Sequence, residues 1–290
     1  MDTIYIVGTT GSGKTKLALR LAELRESVII SADSRQVYKG MDIVTGKDHP
    51  RNIKIHGIDL VGPNEEFSVG VWYERVAPVI KNAHDAGHQV IVVGGTGFYV
   101  RALTHGIDTL SVPINPPLRK ELENLSVIVL QERLKSLDAD RFVRFNHSDQ
   151  NNPRRLIRAI EVAKSSVSVS PNNTINTQPM IALHYEDLNI QEQVIRERVL
   201  ARLADGAVLE TQELLKSIDI NAKSLSALGY CEITKYLRGE INEEQLVGEW
   251  VRAELNYAKR QLTFFRKQNV VWYDRGRMSI EEIYEQYLSR

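Results

Sequence analysis

The sequence predicts an α/β fold with a mostly parallel sheet flanked by helices, and three observations favour it. The apolar run at residues 4–7 leads into a glycine-rich loop, after which apolar side chains recur at helical intervals. Two more apolar runs, residues 27–31 and 89–93, have the length of buried strands, and a helical pattern at residues 68–86 lies between them. Strands that alternate with helices are typical of a sheet whose strands run parallel.

The loop after the first strand, Gly-Thr-Thr-Gly-Ser-Gly-Lys-Thr, matches the P-loop pattern G-x-x-x-x-G-K-[ST] without a mismatch. In such a loop the backbone N–H groups surround a diphosphate, Lys14 supplies a positive charge and the Thr15 hydroxyl can hold Mg²⁺. The helix that begins near Lys14 adds the positive end of its dipole. We therefore predict a P-loop NTPase-like core that binds a di- or triphosphate. The predicted diphosphate-binding residues are Gly8, Thr9, Thr10, Gly11, Ser12, Gly13, Lys14 and Thr15.

Composition excludes several classes of protein. Hydrophobic residues make up 42% of the 290 residues, yet no apolar run approaches the ~18 residues of a membrane span. The single cysteine, Cys231, cannot form an internal disulfide, and the sequence leads from its first residues directly into a strand without a signal peptide. We expect a cytoplasmic protein that has no membrane contact and that is, by default, a monomer.

Asp33 follows the second strand, and a side chain just past the carboxyl end of a strand lies where open α/β sheets bind ligands. In phosphoryl transfer such a carboxylate can be the base for an acceptor hydroxyl or a ligand of Mg²⁺, and both roles are open. The strand at 89–93 ends in Gly94-Gly95-Thr96, where a P-loop ATPase usually has an acidic ligand of Mg²⁺. That loop can be a site of close approach for a ligand or a plain tight turn.

Charge is unevenly distributed although the total is balanced, with 37 Lys and Arg against 37 Asp and Glu. Residues 141–158 contain five arginines and one acid, Asp149, and residues 249–267 contain five basic residues against Glu249 and Glu254. Each segment can be a solvated helix face. Two basic clusters in a neutral chain also fit a protein that binds a nucleic-acid backbone.

A proline-rich stretch at residues 111–117 marks a domain boundary. The patterns that follow predict helices at 118–125, 128–137 and 153–163, a polar linker at 165–178 and a strand at 180–184. We therefore predict a small helical insertion domain, residues 115–178, within a catalytic core formed by residues 1–114 and 179–290.

The remaining patterns predict helices at 192–204, 233–237, 243–267 and 279–288, a turn at 226–230 and a strand at 270–273. Arg198 and Arg202 are four residues apart and share one helix face. These two arginines can pair with acids at the surface or clamp a pyrophosphate.

Taken together, several segments in fixed order resemble the bacterial tRNA dimethylallyltransferase (tRNA isopentenyltransferase) family. The matching segments are 8–15 (GTTGSGKT), 31–43 (SADSRQVYKGMDI), 67–69 (FSV), 92–99 (VVGGTGFY), 152–159 (NPRRLIRA), 227–230 (ALGY) and 257–263 (YAKRQLT). They extend over almost the full chain. The sequence departs from the family pattern at Thr9, where proline is usual, and in a shorter insertion.

The resemblance implies transfer of the dimethylallyl group of dimethylallyl diphosphate to N6 of adenosine 37, next to the tRNA anticodon. The P-loop would then hold a prenyl diphosphate instead of ATP, which accounts for the missing acid after strand 89–93. The implied catalytic residues are Asp33, Thr10, Thr96, Arg198 and Arg202. Asp33 would accept the N6 proton, and Thr10 and Thr96 would line the passage where amine and allylic carbon meet. The two arginines, with Lys14 and with Mg²⁺ on Thr15, would neutralise the departing pyrophosphate.

The same resemblance implies that tRNA is the partner, bound through its anticodon stem-loop. An adenine stacked within that loop cannot reach the pocket, so it must be flipped out. The insertion and the helix at 249–267 would hold the stem-loop. The implied tRNA-binding residues are Asp33, Ser34, Arg35, Gln36, Thr96, Arg119, Arg154, Arg155, Arg158, Gly229 and Tyr230.

Three other functions fit parts of the sequence. A P-loop small-molecule kinase would use Asp33 as the base for a substrate hydroxyl. A prenyltransferase that acts on free adenine nucleotides would have no evident use for the arginine-rich insertion. An RNA-binding protein without catalysis would not need Lys14, Thr15 and Asp33 together.

Overall fold

A computed structural model describes residues 3–50, 52–107, 109, 112–165, 178–219 and 221–289. The chain forms two compact units, one of Met1–Thr104 with Ile175–Arg290 and a smaller one of His105–Thr174. Within the described residues, none of the helices combines the length and the apolar character needed to cross a membrane. The predicted linker at 165–178 lies almost entirely outside the described residues.

The larger unit is built on one sheet of six strands. The strands are β1 (Thr3–Gly8), β2 (Ser27–Ser31), β3 (Ile55–His56), β4 (Gln89–Val93), β5 (Met180–His184) and β6 (Val270–Asp274). Their order is β3-β2-β4-β1-β5-β6, and every neighbouring pair is parallel, which confirms the predicted fold class. β3 has only two residues, because Gly57 and Asp59 just after it adopt left-handed backbone conformations that end it.

The described residues contain thirteen α-helices. They are α1 (Lys14–Ala22), α2 (Val69–Asp85), α3 (Gly97–Thr104), α4 (Pro116–Leu122), α5 (Val127–Leu137), α6 (Ala139–Arg144), α7 (His147–Gln150), α8 (Pro153–Lys164), α9 (Leu188–Ala204), α10 (Ala207–Leu214), α11 (Tyr230–Leu237), α12 (Glu243–Phe265) and α13 (Ile280–Leu288). A short 3₁₀ helix, Lys223–Ser226, precedes α11. The sequence did not predict α3, α6, α7 or α10. α6 and α7 bury no residue, so they leave no periodic apolar signal.

The two faces of the sheet have separate hydrophobic cores, because side chains alternate along each strand. On β4, Val90 and Val92 belong to one core and Ile91 and Val93 to the other. The first core includes residues of α2, α3, α9, α11 and α12, and the second includes residues of α1 and α13. All side chains of β4 are therefore buried, as the uninterrupted apolar run predicted.

The carboxyl ends of β1, β2 and β4 meet at the same edge, since these strands are parallel neighbours. The chain passes so close there that two positions have no room for a side chain. A Cβ on Gly8 would lie 2.0 Å from the carbonyl oxygen of Leu183, and one on Gly94 would lie 2.3 Å from that of Ala32. The loops that leave these strands therefore start side by side.

The smaller unit packs its helices around leucine and isoleucine side chains of α4, α5 and α8. Its boundary lies earlier than the predicted residue 115 because the chain before α4 is bound to α8: Arg158 donates to the carbonyl oxygens of Thr109 (2.8 Å) and Val112 (2.6 Å). Asparagine, serine or aspartate side chains cap the start of every helix in this unit.

We expect Gly8→Ala to reduce the free energy of unfolding far more than Gly40→Ala. Both glycines have positive φ, but nothing lies within 4 Å of a Cβ on Gly40. Gly40→Ala should cost about 1–2 kcal/mol from the left-handed backbone alone. Gly8→Ala should exceed ~3 kcal/mol, because backbone atoms must also move. Urea denaturation followed by circular dichroism measures both, and equal losses would contradict this account of the β1–β5 contact.

Candidate active site

A cavity of about 510 Å³ lies at the carboxyl ends of β1, β2 and β4. Its walls come from the loop after β1, the turn after β2, the loop after β4 and the helices α9 and α12. All five predicted catalytic residues line it, namely Asp33, Thr10, Thr96, Arg198 and Arg202. Four residues of the P-loop line it as well, namely Thr10, Gly11, Lys14 and Thr15. Gly8, Thr9, Ser12 and Gly13 are absent from the lining and shape the loop instead.

The P-loop is closed by internal hydrogen bonds before any ligand is bound. The Lys14 ammonium and the Ser12 hydroxyl both donate to the Thr9 carbonyl oxygen, at 2.7 and 2.8 Å. Arg275, from the segment after β6, donates to the Ser12 carbonyl oxygen at 3.2 Å. Burial, followed by the positive charge of Arg198, lowers the pKa of Lys14 to about 8. The negative charge of a bound anion would favour the ammonium form and so oppose this lowering of the pKa.

Gln261 on α12 joins the P-loop to the loop after β4. Its side-chain oxygen accepts the backbone N–H of Thr10 at 2.7 Å, and its side-chain nitrogen donates to the carbonyl oxygen of Gly95 at 3.0 Å. A Cβ on Gly95 would lie 1.9 Å from that nitrogen. Glycine at this position is therefore required by the close approach of the Gln261 side chain, and close approach of a ligand to this loop stays a prediction.

Arg198 and Arg202 both reach the cavity from α9, so they are not a surface pair. Arg198 donates to the Thr10 hydroxyl oxygen at 3.1 Å. Arg202 is buried and donates to a carboxylate oxygen of Glu254 at 3.3 Å. The other oxygen of Glu254 accepts the Thr10 hydroxyl at 2.9 Å. Burial is the main reason why the pKa of Arg202 is lowered to about 10, and the charge of Arg198 adds to it.

Asp33 lies at the end of β2 with one carboxylate oxygen accepting the backbone N–H of Arg35 at 2.9 Å. Burial raises the pKa of Asp33 above its usual value. Thr96 accepts the backbone N–H of Ser34 at 3.0 Å, and the side chain of Tyr257 forms a hydrogen bond to Thr96. Burial, followed by the charge of Asp33, raises the pKa of Tyr257. Tyr257 thus remains a neutral phenol, and Asp33 is a stronger base than an exposed aspartate.

The other residues predicted after β2 are oriented by hydrogen bonds around the cavity mouth. Arg35 donates to the Ser226 hydroxyl at 3.2 Å. Gln36 accepts the Ser31 hydroxyl at 2.8 Å and donates to the Gly46 carbonyl oxygen at 3.2 Å. Both line the cavity, and their contact with tRNA stays a prediction.

Tyr230 and Gly229 have core positions, which differs from the predicted contact with tRNA. The Tyr230 side chain is fully buried, and its hydroxyl donates to Glu210 at 2.6 Å. Glu210 also accepts the backbone N–H groups of residues 42, 43 and 44. A Cβ on Gly229 would lie 2.5 Å from the Trp250 ring. Tyr230, through Glu210, therefore orders residues 42–44 beside the cavity, and Gly229 allows the close packing of Trp250.

Two of the predicted tRNA-binding arginines have an internal partner in the smaller unit. Arg119 donates twice to Glu161, at 2.8 Å to each oxygen, and Arg158 donates to it at 2.9 Å. The Glu161 side chain is 1% exposed. By itself burial raises the pKa of Glu161, but the hydrogen bonds from Arg119, the backbone of Asn115 and Arg158 outweigh it and hold the pKa below its usual value. These two arginines therefore stabilise the unit, and their contact with tRNA stays a prediction.

The other two predicted arginines of the smaller unit face solvent. Arg154 is exposed, and no ion pair involves it among the residues that the structure describes. Arg155 is exposed and pairs with Asp149. Arg154 can therefore bind a phosphate without first losing an internal partner, whereas Arg155 would exchange Asp149 for the phosphate.

The donor atoms near the P-loop fit Mg²⁺. The Thr15 hydroxyl and the Asp33 carboxylate both line the cavity, and oxygen is the ligand that Mg²⁺ prefers. The Thr15 hydroxyl forms no side-chain hydrogen bond within the part of the chain that the structure describes. A second group of oxygen and nitrogen ligands, Asp42, His49 and Asp59, lies elsewhere, but the Lys47 ammonium already bridges its two carboxylates at 2.7 and 2.5 Å.

Three functional residues were not among the predicted site residues: Glu254, Tyr257 and Gln261, all on α12. Tyr257 and Gln261 belong to segment 257–263, whose family resemblance was the available signal. Glu254 was counted only as an acid within a basic stretch. No spacing in the sequence shows that it faces a loop 244 residues away.

Comparison with known proteins agrees with this geometry. The family model described as IPP transferase matches residues 36–268, and the model described as isopentenyl transferase matches residues 1–63. The chain belongs to the IPP transferase family. A tRNA dimethylallyltransferase of Finegoldia magna is 37% identical over 91% of this chain and 88% of its own length.

Solved structures of the family have the same fold. The tRNA isopentenylpyrophosphate transferase of Bacillus halodurans matches with a TM-score of 0.72 and 32% identity, over 99% of this chain and 96% of its own. A eukaryotic dimethylallyltransferase acting on tRNA matches with a TM-score of 0.80 and 25% identity, over 94% of this chain and 73% of its own.

We expect Glu161→Gln to destabilise the smaller unit by ~3 kcal/mol or more at pH 7, since two guanidinium groups lose a buried counter-charge. In the folded protein the pKa of Glu161 lies below 4.5, the usual value for a glutamate. The ionised Glu161 therefore stabilises the unit fully above pH 4.5, and this stabilisation is lost as the pH falls through the lowered pKa of the folded state. The difference between parent and variant should therefore shrink in acid. Hydrogen exchange of peptides from residues 112–165 in urea measures it. Glu132→Gln, in a surface pair, is the control and should cost less than ~1 kcal/mol.

We expect the affinity for inorganic pyrophosphate to fall as the pH rises through about 8, where Lys14 loses its proton. The Lys14→Arg variant keeps its charge throughout and should lack this loss. Titration calorimetry from pH 6.5 to 9.5 measures the affinity of both proteins for pyrophosphate. The ionisation of pyrophosphate affects both curves equally, so the difference between them reports the Lys14 charge. Parallel curves would contradict a role for the Lys14 charge.

Proposed function

We propose that this chain is a tRNA dimethylallyltransferase, which transfers the dimethylallyl group of dimethylallyl diphosphate to N6 of adenosine 37 beside the anticodon. One observation carries the proposal beyond family membership. A carboxylate, Asp33, and three cationic side chains, Lys14, Arg198 and Arg202, line a single cavity. The carboxylate can accept the proton of an attacking amine, and the three cationic side chains can stabilise the negative charge of a departing diphosphate.

In the proposed reaction N6 attacks the allylic C1 of the donor, and the bond from C1 to the diphosphate oxygen breaks. The leaving pyrophosphate takes the bonding electrons, and Asp33 takes the N6 proton. Lys14, Arg198 and Arg202 bind the charge that develops on the leaving group. Their positions are fixed before reaction by the hydrogen bonds described above, so little reorganisation is needed. Mg²⁺, held by Thr15, would add a divalent charge beside the diphosphate.

The acceptor side of the proposal rests on exposed basic residues. On α12, Arg252, Lys259 and Arg260 are exposed, as is Arg266 directly after this helix, and on the smaller unit Arg154 and Arg155 are exposed. Such residues supply the phosphate contacts that position an RNA without reading its sequence. The adenine must leave its stack to reach Asp33. The same proposal places the protein in the cytoplasm with tRNA, acting as a monomer.

The proposal is tested by a mass shift. The protein is incubated with Mg²⁺, dimethylallyl diphosphate and an anticodon stem-loop that carries adenosine at position 37, and the digested nucleosides are weighed. A prenylated adenosine that is absent from a guanosine 37 control is the expected result. An unmodified stem-loop would refute the proposal.

We expect Asp33→Asn to reduce kcat by at least ~10²-fold, the lower limit for removing a general base. The asparagine oxygen can still accept the N–H of Arg35, so the turn after β2 and the affinity for the stem-loop should be retained. The usual pKa of an aspartate is 3.8, and burial raises the pKa of Asp33 above it. In the parent, kcat/KM should therefore fall with decreasing pH at a pH higher than 3.8, where Asp33 gains its proton. Steady-state assays over a range of pH measure both. Asp85→Asn, in an exposed pair with Lys81, is the matched control, and an equally active Asp33→Asn variant would exclude the base.

A further inference from the structure

Glu254 brings a negative charge into a cavity that the proposed reaction needs to be positive. Its side chain is 9% exposed, and burial of a carboxylate costs free energy unless the group is paired. Its two oxygens have different partners: one accepts the Arg202 guanidinium at 3.3 Å and the other accepts the Thr10 hydroxyl at 2.9 Å. If Glu254 served only to neutralise the charge of Arg202, the contact with Arg202 would be sufficient and the hydrogen bond from Thr10 would not be needed.

The direction of the second hydrogen bond determines what Thr10 can offer to a substrate. A threonine hydroxyl has one hydrogen and two lone pairs. The hydrogen is donated to Glu254, and one lone pair accepts from Arg198 at 3.1 Å. The remaining lone pair can only accept. The exocyclic amine of adenine has two N–H groups, of which Asp33 takes the proton that is lost, and the second N–H matches this lone pair.

We propose that Glu254 is a positioning residue for the transfer: it fixes the Thr10 hydroxyl as a hydrogen-bond acceptor for the adenine amine and holds Arg202 for the diphosphate. This inference rests on the proposed function. The negative charge of Glu254 also opposes that of the donor diphosphate. Glu254 therefore weakens diphosphate binding while it orients the groups that react.

The central test is Glu254→Gln, which keeps the side-chain volume but removes the charge. The amide oxygen can serve only one of the two donors, and the amide nitrogen cannot accept from Arg202. We expect kcat to fall ~10-fold or more through lost orientation, while inorganic pyrophosphate with Mg²⁺ binds at least as tightly as to the parent. A purely structural role would weaken pyrophosphate binding as well, so that outcome overturns the proposal. Glu244→Gln, exposed near the start of α12, is the control.

Two further variants separate the routes by which Glu254 acts. In a Thr10→Val background, Glu254→Gln should reduce kcat by less than it does alone, because its partner is already gone. Full additivity would overturn the link to Thr10. Glu254→Asp keeps the charge but withdraws the carboxylate, so kcat should fall without a gain in pyrophosphate affinity, and an unchanged kcat would contradict the proposal.

The two proposals fail in different ways. A parent that modifies no stem-loop refutes the proposed function and this inference with it. An active parent whose kcat equals that of Glu254→Gln contradicts this inference alone.

Discussion

The P-loop is held from both sides by hydrogen bonds to segments distant in the chain, and the cavity depends on this. On one side the Thr9 N–H donates to the carbonyl oxygen of Leu183 on β5 at 3.0 Å. On the other side the Thr10 N–H donates to Gln261 on α12. Because Gln261 also binds Gly95, one side chain sets the distance between the loops that follow β1 and β4. α12 thereby forms one wall of the site and aligns the other walls.

The charges of the cavity store an unfavourable interaction that an anion relieves. Lys14, Arg198 and Arg202 line one cavity, and burial followed by the charge of Arg198 lowers the pKa values of Lys14 and Arg202 to about 8 and about 10. Glu254 offsets part of this repulsion in the free protein. An anionic leaving group gains charge as the bond to carbon breaks, so the cations interact with it more strongly then than with the bound donor. The site is therefore suited to departure of a diphosphate as well as to its binding.

Features with a strong local signal were predicted from the sequence. β2 and β4 have the predicted limits, because short runs rich in valine and isoleucine at their centres are typical of buried strands. The P-loop was predicted from the spacing of its glycines, lysine and threonine. Asp33 was predicted as a site residue from its position directly after β2. These signals arise within about ten residues of chain, where local patterns are informative.

Features that depend on distant contacts were not predicted. No local pattern showed that Arg119 and Arg158 surround the buried carboxylate of Glu161. Glu254 looked like one surface acid among five basic residues, yet it is buried against the P-loop. Which acid a helix buries is decided by the opposite wall of the cavity, and periodicity within the helix does not encode that wall.

The central claim is that the cavity binds the diphosphate of a prenyl donor and not a nucleoside triphosphate. The most direct measurement is calorimetric titration of the protein, with Mg²⁺, by a non-reactive thio analogue of dimethylallyl diphosphate and, separately, by a non-hydrolysable ATP analogue. The account predicts that the prenyl analogue binds, that Lys14→Ala abolishes this binding, and that the ATP analogue binds far more weakly. Lys14-dependent binding of the ATP analogue without binding of the prenyl analogue would contradict it.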